Sequence, residues 1–311
     1  MIFSTAFAAV FPLFAKIAIG YGIKTSRLLS ERSLREMNAL VFKVFLPTLL
    51  FSNIYKTDFS TIESYHLLWY ALVVVVIMFL TYLLVIPRFV ADNHQRGVVV
   101  QGICRSNFIL FGIPMAATLY GGVSAGLASL LAGIVVPMFN MLSVIVLEYF
   151  RGQKPDYRKM LKGVVTNPII LGGLLGSVFA LTGLRFPALV EQAVFEVADI
   201  ATPLALIILG GSVTFSSVKH NLKPLVIAVL NRLVIVPAIG LGVSILLGFR
   251  NLELILLLAM FASPAAVSSY TMAQQMDGDA DLAGQIVVFS TLIALVSLFL
   301  WISLLMALRY M

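Results

Sequence analysis

Prolines recur at matched places in the two halves of this chain. Pro12 and Pro168 are 156 residues apart, as are Pro47 and Pro203, while the pairs Pro87–Pro237 and Pro114–Pro264 are each 150 apart. Eight of the twelve prolines fall into these pairs, and all eight sit in hydrophobic stretches. A proline inside an apolar helix removes one backbone hydrogen bond and crowds the preceding turn. In a bilayer the freed groups must be satisfied by protein or by water held in a cavity. Breaks at corresponding places in two halves are a pointer to a binding site made by an internal repeat.

The apolar stretches carry the same message. A helix needs about 20 mostly apolar residues to cross a membrane. Ten stretches qualify, at roughly 3–23, 36–54, 66–90, 97–120, 124–149, 164–183, 190–213, 222–247, 252–275 and 283–308. Charged residues are only 11% of the chain and mean hydropathy is +1.03, against roughly 25% charged residues in a soluble domain. The expected fold class is therefore all-α integral membrane. The longest polar break, Arg151–Lys162, divides the ten stretches into two sets of five. Five is odd, so the second set enters the membrane with opposite orientation and the repeat is inverted. The expected organisation is a first five-helix repeat at 1–150, a cytoplasmic linker at 151–163 and a second repeat at 164–311. The amino terminus runs directly into apolar sequence with no basic region, so the first helix is expected to remain in the mature protein.

Basic residues set the expected orientation. With the amino terminus outside, the inner loops hold thirteen Lys and Arg, the outer segments four, and the spans themselves four. This bias puts both termini outside and the central loop in the cytoplasm of a multi-pass protein of the cell (plasma or inner) membrane. It also accounts for the net charge of +7 without a nucleic-acid partner. A single cysteine, Cys104, excludes an internal disulfide. No metal site, cofactor motif, phosphate loop or catalytic triad is evident, so neither a cofactor nor an enzymatic activity is expected.

Two segments could carry chemistry. The fourth stretch reads Cys104-Arg-Ser-Asn-Phe-Ile-Leu-Phe-Gly-Ile-Pro114, and the ninth reads Phe261-Ala-Ser-Pro-Ala-Ala-Val-Ser-Ser-Tyr270. Each sets a proline among small or polar residues, with Gly112 and Ser263 letting the backbone open further. Two helices broken near Pro114 and Pro264 and crossing there would turn half-helix N-termini toward a cavity, an arrangement that suits a carboxylate. Asn107, Ser263, Ser268, Ser269 and Tyr270 could add hydrogen bonds; simple packing kinks are the alternative. Arg105 lies within a span, where a charge is costly and faces a cavity or a partner. It would concentrate an anionic ligand, stand where a related transporter binds a cation, form a buried ion pair, or snorkel to the interface. Arg232, beside Asn231, suits a structural pair. Glu196 and Asp199 are expected to cap polar interactions on the outer side of the seventh stretch. Asn167-Pro168 reads as an N-cap and first turn. Gly172, Gly173, Gly176 and the Gly210-Gly211 pair suit close helix packing within a scaffold or a dimer.

Several segments together resemble the auxin efflux carrier family, which includes bacterial malonate and malate permeases and the plant PIN auxin exporters. They are Val10-Phe-Pro-Leu-Phe with Gly20-Tyr-Gly, Met37-Asn-Ala-Leu-Val-Phe with Phe45-Leu-Pro-Thr-Leu-Leu-Phe51, Asn107 through Pro114, Thr166-Asn-Pro-Ile-Ile170, Ser263-Pro-Ala-Ala-Val-Ser268, and Val287-Val-Phe-Ser-Thr291. The resemblance covers nearly the whole chain. It implies the inverted-repeat fold of bile acid/sodium symporters, with broken helices 4 and 9 crossing. It further implies a scaffold of spans 1, 2, 6 and 7 that could also form a homodimer. Spans 3–5 and 8–10 would form a transport domain moving as an elevator in the lipid bilayer, with Asn107, Pro114 and Pro264 at the site. The plant exporters carry a long loop between spans 5 and 6, which is short here. The expected cargo is accordingly a small organic anion such as malonate or malate. A sodium-coupled organic anion symporter of the bile acid type is the alternative.

Overall fold

The computed structural model describes residues 2–57, 65–120, 124–152, 157–212 and 218–311, and every regular element among them is helical. In chain order these are α1 (Ile2–Thr25), α2 (Glu31–Tyr55), α3 (Tyr65–Arg88), α4 (Asn93–Cys104), α5 (Phe108–Tyr120), α6 (Ser124–Phe150) and α7 (Tyr157–Val165). The second half contributes α8 (Pro168–Thr182), α9 (Ala188–Ser212), α10 (Val218–Leu246), α11 (Asn251–Ala262), α12 (Ser268–Gln275) and α13 (Ala280–Ala307). Among the described residues, six helical segments are long and apolar enough to cross a membrane, and α8 and α11 are shorter apolar helices.

Helix ends follow local chemistry. The Ser33 N–H donates to Ser30 Oγ at 3.0 Å, so α2 begins five residues before its apolar stretch does. The Ile169 N–H donates to Asn167 Oδ1 at 2.9 Å, and Pro168 is the first residue of α8. That helix stops at Gly183, whose φ of 72° is left-handed and suits glycine. Within the expected linker, Tyr157 opens the short helix α7.

The paired prolines do not share one structural role. Pro12 and Pro203 lie in uninterrupted helices, Pro168 starts one, and Pro87 sits in a 3₁₀ turn at the end of α3. Only Pro47 and Pro203 fall at similar depth, sixteen and fifteen residues after the first residue of their helices. Pro47 and Pro237 share another feature: each follows a five-residue π turn, at Val41–Phe45 and Asn231–Ile235. Widening the turn relieves the clash between the proline ring and the carbonyl four residues back. Pro237 leaves the Leu233 carbonyl without its helical donor, and the Trp301 indole N–H supplies one at 3.0 Å.

Glycines let α1 approach α9 and α2 approach α8. A Cβ on Gly20 would lie 1.9 Å from the Ile207 carbonyl oxygen, and one on Gly210 would lie 2.0 Å from that of Ile17. A Cβ on Gly172 would come within 2.5 Å of the Pro47 carbonyl oxygen. These small residues therefore serve contacts inside the chain. An aromatic cluster of Phe51, Tyr55, Phe179, Phe186 and Phe195 closes one end of this bundle. Tyr55 Oη donates there to Glu191 Oε2 at 3.0 Å and accepts from the Phe186 N–H at 2.9 Å. The remaining long helices pack chiefly on one another, with Leu254 through Ala262 of α11 buried on every side. At twelve residues α11 is about 18 Å long. It is apolar all round because neighbouring helices enclose it.

Candidate functional site

Two helices stop short and resume after an extended break. Helix α4 ends at Cys104, Arg105 is extended (φ −92°, ψ 110°), and α5 begins at Phe108. Helix α11 ends at Ala262, Ser263 is extended (φ −63°, ψ 149°), and α12 begins at Ser268. The capping residues Arg105 and Ser263 are 158 apart, and each follows a helix of twelve residues. The breaks cross as an antiparallel bridge between Ser106 and Ala265. The Asn107 N–H donates to the Pro264 carbonyl at 2.8 Å, and the Ala266 N–H donates to that of Arg105 at 3.3 Å. Each break thereby satisfies backbone groups of the other, as burial requires.

The first break lies elsewhere than its proline implied. Pro114 and Gly112 fall within the continuous backbone of α5, and their side chains lie outside the described residues. The helix opens seven residues earlier, at Arg105-Ser-Asn107. Ser and Asn compete with helical hydrogen bonds, and this triplet also finds ready partners on the other break. The 150-residue spacing of Pro114 and Pro264 is thus not the spacing of the two breaks.

A cavity of about 300 Å³ lies at the crossing. Arg105, Ser106 and Asn107 enter it from the first break and Ser268 from the second, with Asn140 from α6. The opposite wall comes from α2 and α9 and includes Asn53, Asp199 and Thr202. Arg105 is only 4% exposed. Its Nη2 donates to Asn140 Oδ1 and Ser268 Oγ, both at 2.7 Å, and its Nη1 donates to Met272 Sδ at 2.7 Å. Among the described residues, no carboxylate stands within ion-pair distance of Arg105. It therefore neither forms a buried ion pair with them nor snorkels outward. Asn107 Nδ2 and Ser106 Oγ are buried without a protein partner. The N-termini of α5 and α12 start at the breaks, adding partial positive charge beside the guanidinium.

The other expected residues are dispersed. Pro264 lends only its carbonyl. Ser263 and Ser269 are buried with hydroxyls that have no partner, and neither borders the cavity. Tyr270 faces a different cavity of about 200 Å³, bordered also by Lys24, Arg35 and Asp281. Tyr270 Oη accepts from Gln274 Nε2 at 2.9 Å, and Gln274 Oε1 accepts from Asn38 Nδ2 at 2.6 Å. Glu196 accepts from Gln192 one turn away, at 2.8 Å. Asp199 borders the central cavity and also a second one shared with Glu191, Gln192 and Glu196 near the start of α9. Sequence reasoning missed Asn53, Asn140 and Thr202, which lie in apolar helices outside either broken segment. An amide in an apolar span was the available signal for Asn53 and Asn140.

Arg232 also departs from expectation. It has no carboxylate partner among the described residues, and its guanidinium is held by backbone carbonyls at the two breaks.

A family model described as membrane transport protein matches residues 5–302. The chain is similar to an uncharacterized transporter of Methanothermobacter thermautotrophicus, at 26% identity over 97% of this chain and 99% of that protein. It is also similar to an uncharacterized transporter of Methanocaldococcus jannaschii, at 22% identity over 92% of this chain and 94% of the relative.

Proposed function

The chain belongs to the membrane transport protein family, that of the auxin efflux carriers, and from that premise we propose that it is a secondary transporter of a small organic anion, a carboxylate such as malonate or malate. Arg105 carries this reading. A buried guanidinium that meets only neutral acceptors, in a cavity flanked by two helix N-termini, is an incomplete charge pair. A carboxylate would complete it with paired, charge-assisted hydrogen bonds, and Asn107 Nδ2 and Ser106 Oγ are free to donate to the same anion. The antiparallel crossing of two helices of equal length supports ten spans in two inverted repeats, 1–150 and 164–311, joined by the cytoplasmic segment 151–163. The bias of basic residues supports placing both termini outside.

The cavity lies between two groups of helices, one wall on α2 and α9 and the other on the broken helices. This arrangement supports an elevator, with α1, α2, α8 and α9 as scaffold. The Asn38–Gln274 hydrogen bond joins the two groups and would have to part in every cycle. Cysteines placed at Asn38 and Gln274 and bridged by a short thiol-specific crosslinker are expected to stop transport, and reductive release to restore it. Cys104 is buried and leaves the labelling clean. Undiminished transport by fully crosslinked protein would remove relative motion at this contact.

The defining experiment is uptake of radiolabelled malonate, malate and indole-3-acetate into proteoliposomes, with and without imposed proton and sodium gradients. Saturable uptake of one small carboxylate is expected. Uptake that requires sodium would turn the reading to a sodium-coupled symporter, and preference for a cationic solute would overturn it. Asn107→Ala is expected to weaken apparent affinity by about tenfold, the effect of losing one hydrogen bond to a charged ligand. Unchanged kinetics would remove Asn107 from the site.

A further inference from the structure

Arg232 is 0% exposed, the largest of the fully buried side chains among the described residues. Its Nε donates to the Ser263 carbonyl at 2.6 Å, Nη2 to the Met260 carbonyl at 2.8 Å, and Nη1 to the Ile103 carbonyl at 3.0 Å. Ile103 is in the last turn of α4, Met260 is in the last turn of α11, and Ser263 caps α11. The guanidinium thus lies against the C-terminal ends of both broken helices, and neither Arg232 nor its three carbonyl partners line the cavity that holds Arg105. Each helix end carries roughly half a negative charge on carbonyls without helical donors. Two such ends together offset about one positive charge. This explains how an arginine remains buried without a carboxylate: its counter-charge is delocalised over two truncated helices.

We infer that Arg232 is a built-in cation occupying an oxygen cage formed by the two broken helices, and that the cage itself is a latent cation site. Three main-chain carbonyl oxygens, each accepting from a different nitrogen, ring the guanidinium, and carbonyl oxygens are the ligand type that hard monovalent cations use. The cage is closed to them because a tethered guanidinium fills it. The π turn at Asn231–Ile235 begins one residue before Arg232, and Tyr82 Oη donates to Asn231 Oδ1 at 2.8 Å. Through Arg232, helix α10 ties the end of α4 to the end of α11, and Tyr82 ties α10 to α3. The inference rests on these bonds alone and does not depend on the identity of the transported anion.

The test uses thermal unfolding of the purified full-length protein, which needs no knowledge of the substrate. Arg232→Ala should unfold several degrees below the wild type in choline buffer. Millimolar guanidinium should raise it saturably toward the wild-type value, with smaller gains from sodium or potassium. Urea, which has the same planar shape without the charge, should not raise it, and guanidinium should leave the wild type unmoved. Arg232→Lys and Arg232→Met, which match in length and differ in charge, keep the test decisive if the alanine variant is lost during extraction; lysine should be the more stable and the better recovered. The inference is overturned if Arg232→Met equals Arg232→Lys, or if a destabilised alanine variant responds to guanidinium and urea alike. If transport of malonate or malate is absent while cation rescue holds, the cargo reading fails and the cage stands.

Discussion

Arg105→Gln is expected to lower transport of the anion on the order of 100-fold in kcat/KM, with no change in the unfolding temperature beyond a few degrees. The estimate follows from the loss of about 3 kcal/mol when one partner of a buried, hydrogen-bonded charge pair is truncated. Glutamine is neutral and ends two bonds short of the nitrogen that now holds Asn140 and Ser268, so it removes the charge and leaves a polar side chain at the edge of the cavity. Arg105→Lys keeps the charge but loses the planar fork, so it should fall between wild type and glutamine. That ordering separates charge recognition from a purely structural role, which would leave lysine and glutamine equally impaired. Proteoliposome uptake at several substrate concentrations checks it. Transport by Arg105→Gln within threefold of wild type would remove the anion site from the crossing.

Gly210→Val should prevent formation of a stable protein. Its Cβ would sit 2.0 Å from the Ile17 carbonyl oxygen and 2.9 Å from the Ile17 Cα. Backbone atoms on both sides cannot yield as a side-chain tip would, so α1 and α9 must separate. Overpacking in a close-packed interior costs about 1–3 kcal/mol even where side chains can adjust; here about 3 kcal/mol or more is expected. Gly22→Ala, on the partner helix α1, is the control, because nothing lies within 4 Å of its added Cβ. Size-exclusion chromatography and thermal unfolding of the two variants settle the point. A Gly210→Val protein as stable as wild type would mean that α1 and α9 do not pack through this face.

Both predictions rest on residues whose chemistry was visible in the sequence and whose surroundings were not. An arginine in an apolar span announces a cavity or a partner, but four readings of Arg105 stay open until its neighbours are known. The glycines of α1, α8 and α9 signalled close packing. The approach of Gly210 to Ile17 and of Gly172 to Pro47 then assigned them to contacts inside the chain.

What the sequence by itself determined is what depends on a local run of residues. Hydropathy over about 20 residues marks a helix that lipid can solvate, so the all-helical membrane class and the family were legible. Single capping side chains likewise marked the starts of α2 and α8 at Ser30 and Asn167. What only the tertiary structure decided is where the helices break and what the breaks face. Pro114 has the local chemistry of a break and lies in a continuous helix, while Arg105-Ser-Asn107 has no proline and opens. The difference is non-local: the Asn107 N–H has the Pro264 carbonyl, and the Ile103 carbonyl has Arg232, 129 residues away. A helix opens in a membrane where distant groups can satisfy the backbone it frees, and no stretch of sequence specifies those partners until the helices have packed.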